Sequence, residues 1–408
     1  MLQVSGSAFR GMAAHPLAGV TVLQIIPDLR DNPVASAAIH IAAALDAAGA
    51  RPLVACQGGP LTGELQAKGG IFVPFPSHTK NPVAMAWNVR RLARLIEIER
   101  VDIAHVRSRA LAWVAYGATR LTKTPFVTEF QGGYKGGNPI ALRYNSASAR
   151  GDAVLVDSEH TANLVDRLYS TGQGQIRTIH QGIDCRIFAP HAVSPTRVQD
   201  VRRQWKVAPH ERVVLLAAHP SPGGGHKILI EAARRLSKNG LSGVKFILAG
   251  NEGHEGRRGG LGGEIDKAIA KAGLQGAMSR TGRCDMPAAL LAASILVAPS
   301  TEAKAVGQFI VEAQAMGTPV IAADLGAAPE LVLAPPTVPE SLRTGWLVPP
   351  GDAAALAAAL VSALSLGASA AHKQAKRARE HVEAWFSIER MCADTLEAYA
   401  DLRGNEEG

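Results

Sequence analysis

Glu312 is the carboxylate in this chain best placed to do chemistry on a ligand. It lies in PSTEAKAVGQFIVEAQAMGTPVIAADLGAAPELV, residues 299–332. The order of parts there is a buried strand (295–298), a loop, Gly307 opening a helix that carries Glu312, a second strand (319–322), and a Gly-Ala-Ala-Pro-Glu turn. A strand–loop–helix unit leaves free backbone N–H groups at the helix start, where a phosphate or a sugar hydroxyl is held. A carboxylate just beyond the first turn can accept the two hydroxyls of a ribose, which a core position would not require. Glu330, at the start of the next helix, reads as a carboxylate favourable to that helix's dipole.

The elements that must position these groups alternate along the whole chain. Apolar runs at 20–26, 52–56, 71–74, 103–106, 126–128, 153–156 and 176–180 read as strands, with helices at 34–48, 84–97 and 110–121 between them. A second series follows at 213–218, 244–249, 276–280, 295–298 and 319–322. Such alternation predicts parallel sheets with helices on both faces. The fold class is therefore α/β, with two Rossmann-like domains and ligands at the carboxyl ends of the strands. The expected boundaries are 18–190 for the first domain and 191–384 for the second, with a last helix within 385–408. A cleft between two such domains holds two substrates together and keeps water out.

The segments TGRCDMPAALLAASILVAPST (281–301), TGWLVPPGDAAALAAAL (344–360) and NPIALRYNSASARGDAVLVDSEHTA (138–162) extend the match beyond 299–332. Together they resemble family 4 glycosyltransferases, retaining enzymes of the GT-B fold whose signature is Glu, seven residues, Glu. The likeness runs through nearly the whole chain from about Val20. Ungapped, the signature falls on Lys304 and Glu312. The resemblance implies two domains facing across a cleft, the first on the acceptor side and completed by the C-terminal helix, the second binding a nucleotide-sugar donor.

Carried over residue by residue, the resemblance assigns Glu312 to the ribose and Gly307, Gln308 and Phe309 to the sugar and phosphates. Arg283 falls where a nucleotide base would rest. In VVLLAAHPSPGGGHKILIEAARRL (213–236) the family's Arg and Lys fall on His219 and Gly224. Gly224 and Gly225 can still bring backbone N–H groups to a phosphate, with His226 or Lys227 supplying charge. The family's glycine loop after the first strand is Leu29–Val34 here, without glycine; Asn32 can take a turn conformation, but Pro33 removes a donor. The family's His-Gly pair after the fifth strand is Gln131–Gly132, and Gln131 hydrogen-bonds without changing charge. At the interdomain turn its Arg-Gly pair is Gln181–Gly182.

Lys304 and Gln131 thus take the catalytic positions. Retaining transfer passes through an oxocarbenium-like state, and a cation beside it costs ~1–4 kcal/mol, about tenfold to a thousandfold in rate. Glu302 takes that place only if the loop shifts; Lys304 otherwise pairs with an acidic sugar or phosphate, or is a solvated loop lysine. On the acceptor side, His105 ends a strand and either faces the cleft or is a satisfied core histidine, with Arg107 and Arg109 beside it.

Composition narrows the partners. The 408 residues are 47% hydrophobic and 19% charged, as expected of a globular protein. No apolar run reaches the ~18 residues of a membrane span, and the first 17 residues lack a signal's apolar core. The four cysteines (Cys56, Cys185, Cys284, Cys392) show neither CxxC nor zinc-like spacing, so free thiols and a cytoplasmic location are expected, with no metal and no cofactor. Net charge is +8, of which residues 1–190 carry +6. Arg90, Arg91 and Arg94 lie on one predicted helix, which suits either a solvated basic surface or peripheral contact with an anionic membrane at its inner face. Aromatics are 5%, and no nucleic-acid motif is present.

Two readings stand at this point. In one, the chain moves a sugar from a nucleotide-diphosphate donor to a lipid-linked or lipopolysaccharide-type saccharide acceptor, with retention. In the other it is a catalytically inactive relative acting as a binding or regulatory partner.

Overall fold

The computed structural model describes residues 15–77, 81–130, 138–172, 174–250, 260–303 and 307–404. Gln131 and Lys304 lie outside these described residues. The chain builds two sheets. The first contains β1 (Thr21–Ile25), β2 (Arg51–Cys56), β3 (Ile71–Pro74), β4 (Ile103–Val106), β5 (Phe126–Phe130), β6 (Ala153–Val156) and β7 (Ile176–Thr178). The second contains β8 (Arg212–Ala217), β9 (Val244–Ala249), β10 (Met278–Thr281), β11 (Ile295–Ala298), β12 (Val320–Ala323) and β13 (Trp346–Val348). β13 is only three residues long, and the helix Ala368–Trp385 that precedes the last helix is strongly charged; neither gave a clear signal in the sequence.

Strand order is β3-β2-β1-β4-β5-β6-β7 in the first sheet and β10-β9-β8-β11-β12-β13 in the second, with parallel pairing. The central strands are buried throughout: all five residues of β1 and all four of β4 and β6. Continuous apolar strands need cover on both faces, which the crossover helices supply. Each fully buried Val, Leu or Ile contributes about 1.5–3 kcal/mol of transfer free energy. In both sheets the order reverses beside the first strand of the unit, between β1 and β4 and between β8 and β11. A crevice opens at such a switch point, outside the carboxyl ends of the strands.

Two crossing segments join the halves. Ile183 N donates to Phe386 O (2.9 Å) and Ile388 N donates to Ile183 O (3.1 Å). Gly182 is required there because a Cβ would lie 2.6 Å from Ile388 Cα and 2.7 Å from Ser387 O. The returning helix, Ile388–Gly404, buries Met391, Leu396 and Tyr399 in one cluster with Val22, Ile41, Ile103 and Leu155 of the first half. Among the described residues no single helix is long and apolar enough to cross a membrane.

Candidate functional site

The carboxyl ends of the two sheets face each other, because loops from both rims touch. Glu330, in the short helix after β12, accepts from the backbone N–H groups of Glu159 and His160 at 2.8 Å each. Those donors are the first two residues of the helix Glu159–Tyr169 that follows β6. Glu330 does lie in the first turn of its own short helix, as expected, and its carboxylate also caps a helix of the other half. At the opposite end of the rim, Arg283 of the loop after β10 lies 3.6 Å from Asp31 of the loop after β1. Both of those side chains are well exposed, so this pair adds little stability.

On the second sheet, the loops after β8 and β11 are packed together. Gly225 starts the helix His226–Lys238 with a φ of +77°, and a Cβ there would meet Pro299 O at 2.0 Å. Thr301 N donates to Gly223 O (3.1 Å), and a Cβ on Gly223 would lie 2.6 Å from Glu302 Cγ. The glycine run is therefore demanded by this close loop contact, and the Glu302 side chain is turned toward it. Gly224 is buried in the same turn, while His219 at its entrance is exposed.

The helix Gln308–Ala315 follows, with Gly307 at its N-cap and no side chain among the described residues satisfying the first N–H groups. Phe309 packs against the core of the second half, which fixes the helix on the sheet. Glu312 is only 5% exposed. Burial pushes its carboxyl up to about 7, opposed by a hydrogen bond from Gln308. Its Oε2 is buried with no hydrogen-bond partner among the described residues. A buried polar atom left unpaired is costly, and a ligand is one way to satisfy it. A vicinal diol donating two hydrogen bonds would satisfy this carboxylate and favour its ionised form.

The first sheet's rim is different. Asn32 caps the helix Pro33–Ala47, its side chain accepting from Ala35 N (2.9 Å) and donating to Asp28 (3.2 Å). Pro33 occupies the first helical position, where its missing N–H costs nothing. His105, expected on the acceptor side, is fully buried instead, with Nδ1 2.6 Å from the Tyr399 hydroxyl. Burial holds its pKa well below the ordinary value, and the nearby Arg107 lowers it further, so the ring is neutral and fastens the C-terminal helix to β4. Arg107 is buried too and paired with Glu129 on β5 through Nε (3.0 Å) and Nη2 (3.2 Å). The pair borders a small internal space lined also by Asp157, Gln181 and Met391.

Sequence reasoning missed Glu129 and the reach of Glu330. Glu129 had a signal: it is a lone charge inside the apolar strand FVTEF, which implies a buried partner. Glu330 had none, because its donors are about 170 residues distant in sequence. The structure gathers His219, Gly224, Gly225, Arg283, Gly307, Gln308 and Glu312 along one rim of the second sheet and Asn32 and Arg107 along the first. Among the described residues no group of three or more His, Cys, Asp or Glu side chains is arranged to hold a metal ion.

Comparisons with known proteins agree with this geometry. Residues 34–187 match the profile of Glycosyltransferase Family 4, and residues 211–365 that of Glycosyl transferases group 1. A glycosyltransferase from Rickettsia africae has the same fold over 95% of this chain and 99% of its own (TM-score 0.83, 28% identity). Anabaena HepE, solved in complex with UDP, superposes over 94% of this chain and 100% of its own (TM-score 0.77, 21% identity). The D-inositol 3-phosphate glycosyltransferase of Mycobacterium marinum is 26% identical over 62% of this chain and 51% of its own length. The phosphatidyl-myo-inositol mannosyltransferase of Mycobacterium leprae is 26% identical over 52% of this chain and 58% of its own. The chain thus spans about half the length of the curated relatives it matches.

Proposed function

The chain belongs to the family 4, group 1 glycosyltransferases, and from that membership we propose that it moves a sugar from a nucleoside-diphosphate donor to an acceptor with retention at the anomeric carbon. The observation that carries the donor half of this reading is Glu312, a buried carboxylate with an unpaired oxygen one turn into a helix that follows the switch-point strand. Its two oxygens suit the two hydroxyls of a ribose. The open N–H groups at Gln308 and Phe309 suit the diphosphate and the sugar. That the Anabaena structural neighbour was crystallised with UDP supports a uridine donor. That relatives are named for inositol phosphate and phosphatidylinositol supports a polar, phosphate-bearing acceptor, here taken as lipid-linked or saccharide and approached from the cytoplasm at the membrane face. Retention, together with Lys304 and Gln131 at the reacting end, follows from the family resemblance.

In this reading the closed cleft does most of the work. Departure of the nucleotide is helped by fixed dipoles and N–H groups in a water-poor site, without a metal. The Glu330 contact with the helix Glu159–Tyr169 holds the two rims together while the sugar is transferred.

The test is calorimetric titration and thermal shift with UDP, GDP, ADP and their glucose and mannose conjugates. At least one nucleoside diphosphate should bind. Glu312→Ala should weaken it by about 10- to 100-fold, the loss expected for hydrogen bonds to a charged group. Absence of binding by every compound, with the chain folded, would overturn the reading.

A further inference from the structure

The switch-point crevice of the second sheet lies between the loops after β8 and β11, and the Glu302 side chain reaches into it. A Cβ built on Gly223, in the loop after β8, would lie 2.6 Å from Glu302 Cγ and 2.8 Å from Glu302 Cδ. The side chain therefore lies against the backbone of the glycine turn, although the residue as a whole is exposed. The chain on either side fixes it there: Thr301 N donates to Gly223 O (3.1 Å), and Pro299 O is what a Cβ on Gly225 would meet. Gly223, Gly224 and Gly225 are all buried beneath this contact.

The turn sets little fixed positive charge against this carboxylate. Gly224, where the family resemblance expects a lysine, has none, and its N–H donates to Ser221 O (3.0 Å) instead of standing open to a phosphate. The family's arginine position is His219, an exposed imidazole. Lys227, the other expected source of charge, has a side chain 72% exposed that lies 4.0 Å from Glu264 of the helix Leu261–Lys271. The turn's pull on an anion therefore comes from the start of the helix His226–Lys238, which no side chain among the described residues caps. Gly223, against which Glu302 lies, is three residues before that start.

From this arrangement we infer that Glu302 sets the preference of the donor site for a sugar nucleotide over the free nucleoside diphosphate. The two ligands differ by one charge. In the conjugate each phosphate carries a single negative charge, whereas the terminal phosphate of the free diphosphate carries nearly two at neutral pH. An anion fixed beside the diphosphate repels the free nucleotide more strongly than the conjugate. The intact donor is tolerated and the product nucleotide is driven out, a step that limits many enzymes with closing clefts. The same charge opposes departure of the nucleotide inside the closed cleft, so release gains where bond breaking loses. The inference rests on the proposed donor reading, because it needs a diphosphate at this switch point.

The experiment is calorimetric titration of the full chain and its Glu302→Gln variant with UDP against UDP-glucose and GDP against GDP-mannose. It is run at low salt and about pH 8, where the terminal phosphate of the free nucleotide is fully ionised. Glu302→Gln should tighten the free diphosphate by about tenfold and its conjugate by about threefold, because the repulsion scales with ligand charge. Glu302→Asp keeps the charge and should keep the parental ratio of the two affinities. Raised salt should shrink the difference between the parent and the Gln variant. Glu302 is exposed, so the variants should melt with the parent. The inference is overturned if Glu302→Gln shifts both affinities by one common factor, leaves both unchanged, or weakens them. Those outcomes leave the donor reading standing, since a nucleotide still binds. Failure of all four compounds to bind either chain strikes the donor reading itself, and this inference with it.

Discussion

The two rims of the cleft use their polar side chains in opposite ways. On the first sheet Asn32 is spent on a helix cap and Asp28, His105 on Tyr399, and Arg107 on Glu129. On the second sheet Glu312 is as well buried, yet among the described residues one of its oxygens has no hydrogen-bond partner and no side chain caps the helix start at Gly307. An unmade hydrogen bond does not by itself separate the rims, since among the described residues His105 Nε2, Arg107 Nε and Glu129 Oε2 make none either. The difference is that Glu129 faces the Arg107 cation at 3.0 Å, whereas Glu312 has no ion pair among the described residues and is the carboxylate left open to a ligand.

The sharpest way to break that contrast is to remove Arg107. Arg107→Met keeps the volume and leaves Glu129 without its cation, so urea unfolding should show a loss of about 3–5 kcal/mol. Nucleotide affinity should stay within about twofold of the parent. A parallel fall in affinity would mean that the first rim also binds the donor.

Next in size is the pH response of Glu312. In the native chain its carboxyl holds a proton up to about pH 7, whereas the unfolded chain releases it near the ordinary value. The group therefore favours the native state below about pH 4.5, and that contribution is lost as pH rises through about 7, by roughly 3 kcal/mol. Glu312→Gln should flatten this part of the stability profile. Ligand binding should run the other way: nucleotide affinity rises from about pH 6 to 8 as the carboxylate ionises, and the Gln variant shows no such slope. An equal slope in both would remove Glu312 from the site.

The smallest effect sharpens the picture of the cleft itself. Glu330→Ala removes the carboxylate that caps the helix Glu159–Tyr169 across the two halves, worth about 1–2 kcal/mol. The ligand-free chain should then open, read as a larger radius of gyration by small-angle scattering. An unchanged radius would show that the 182–183 and 386–388 crossing segments alone set the domain angle.

Much of this was legible beforehand. β4, β6, β9 and β11 lie where the apolar runs placed them, because a strand buried on both faces leaves a continuous apolar signature; β3, at the sheet edge and largely exposed, also lies where its short apolar run IFVP placed it. The start of the Gln308 helix was readable from Gly307, and Glu312 from its position beyond it. Strand ends with mixed chemistry were less clear: β5 extends through Glu129 and Phe130, where the charge seemed to end the run. The placement of His105 was not decidable either, since the same alternation serves a cleft histidine and a core histidine.

By itself, the sequence determined two parallel sheets, the switch-point loops, and a family likeness, because periodicity and turn residues are local properties. Only the tertiary structure decided which polar groups were already satisfied. Tyr399 reaches His105 from 294 residues away and Glu330 reaches Glu159 from 171. Whether a buried polar atom is paired depends on such contacts, and no local pattern encodes them.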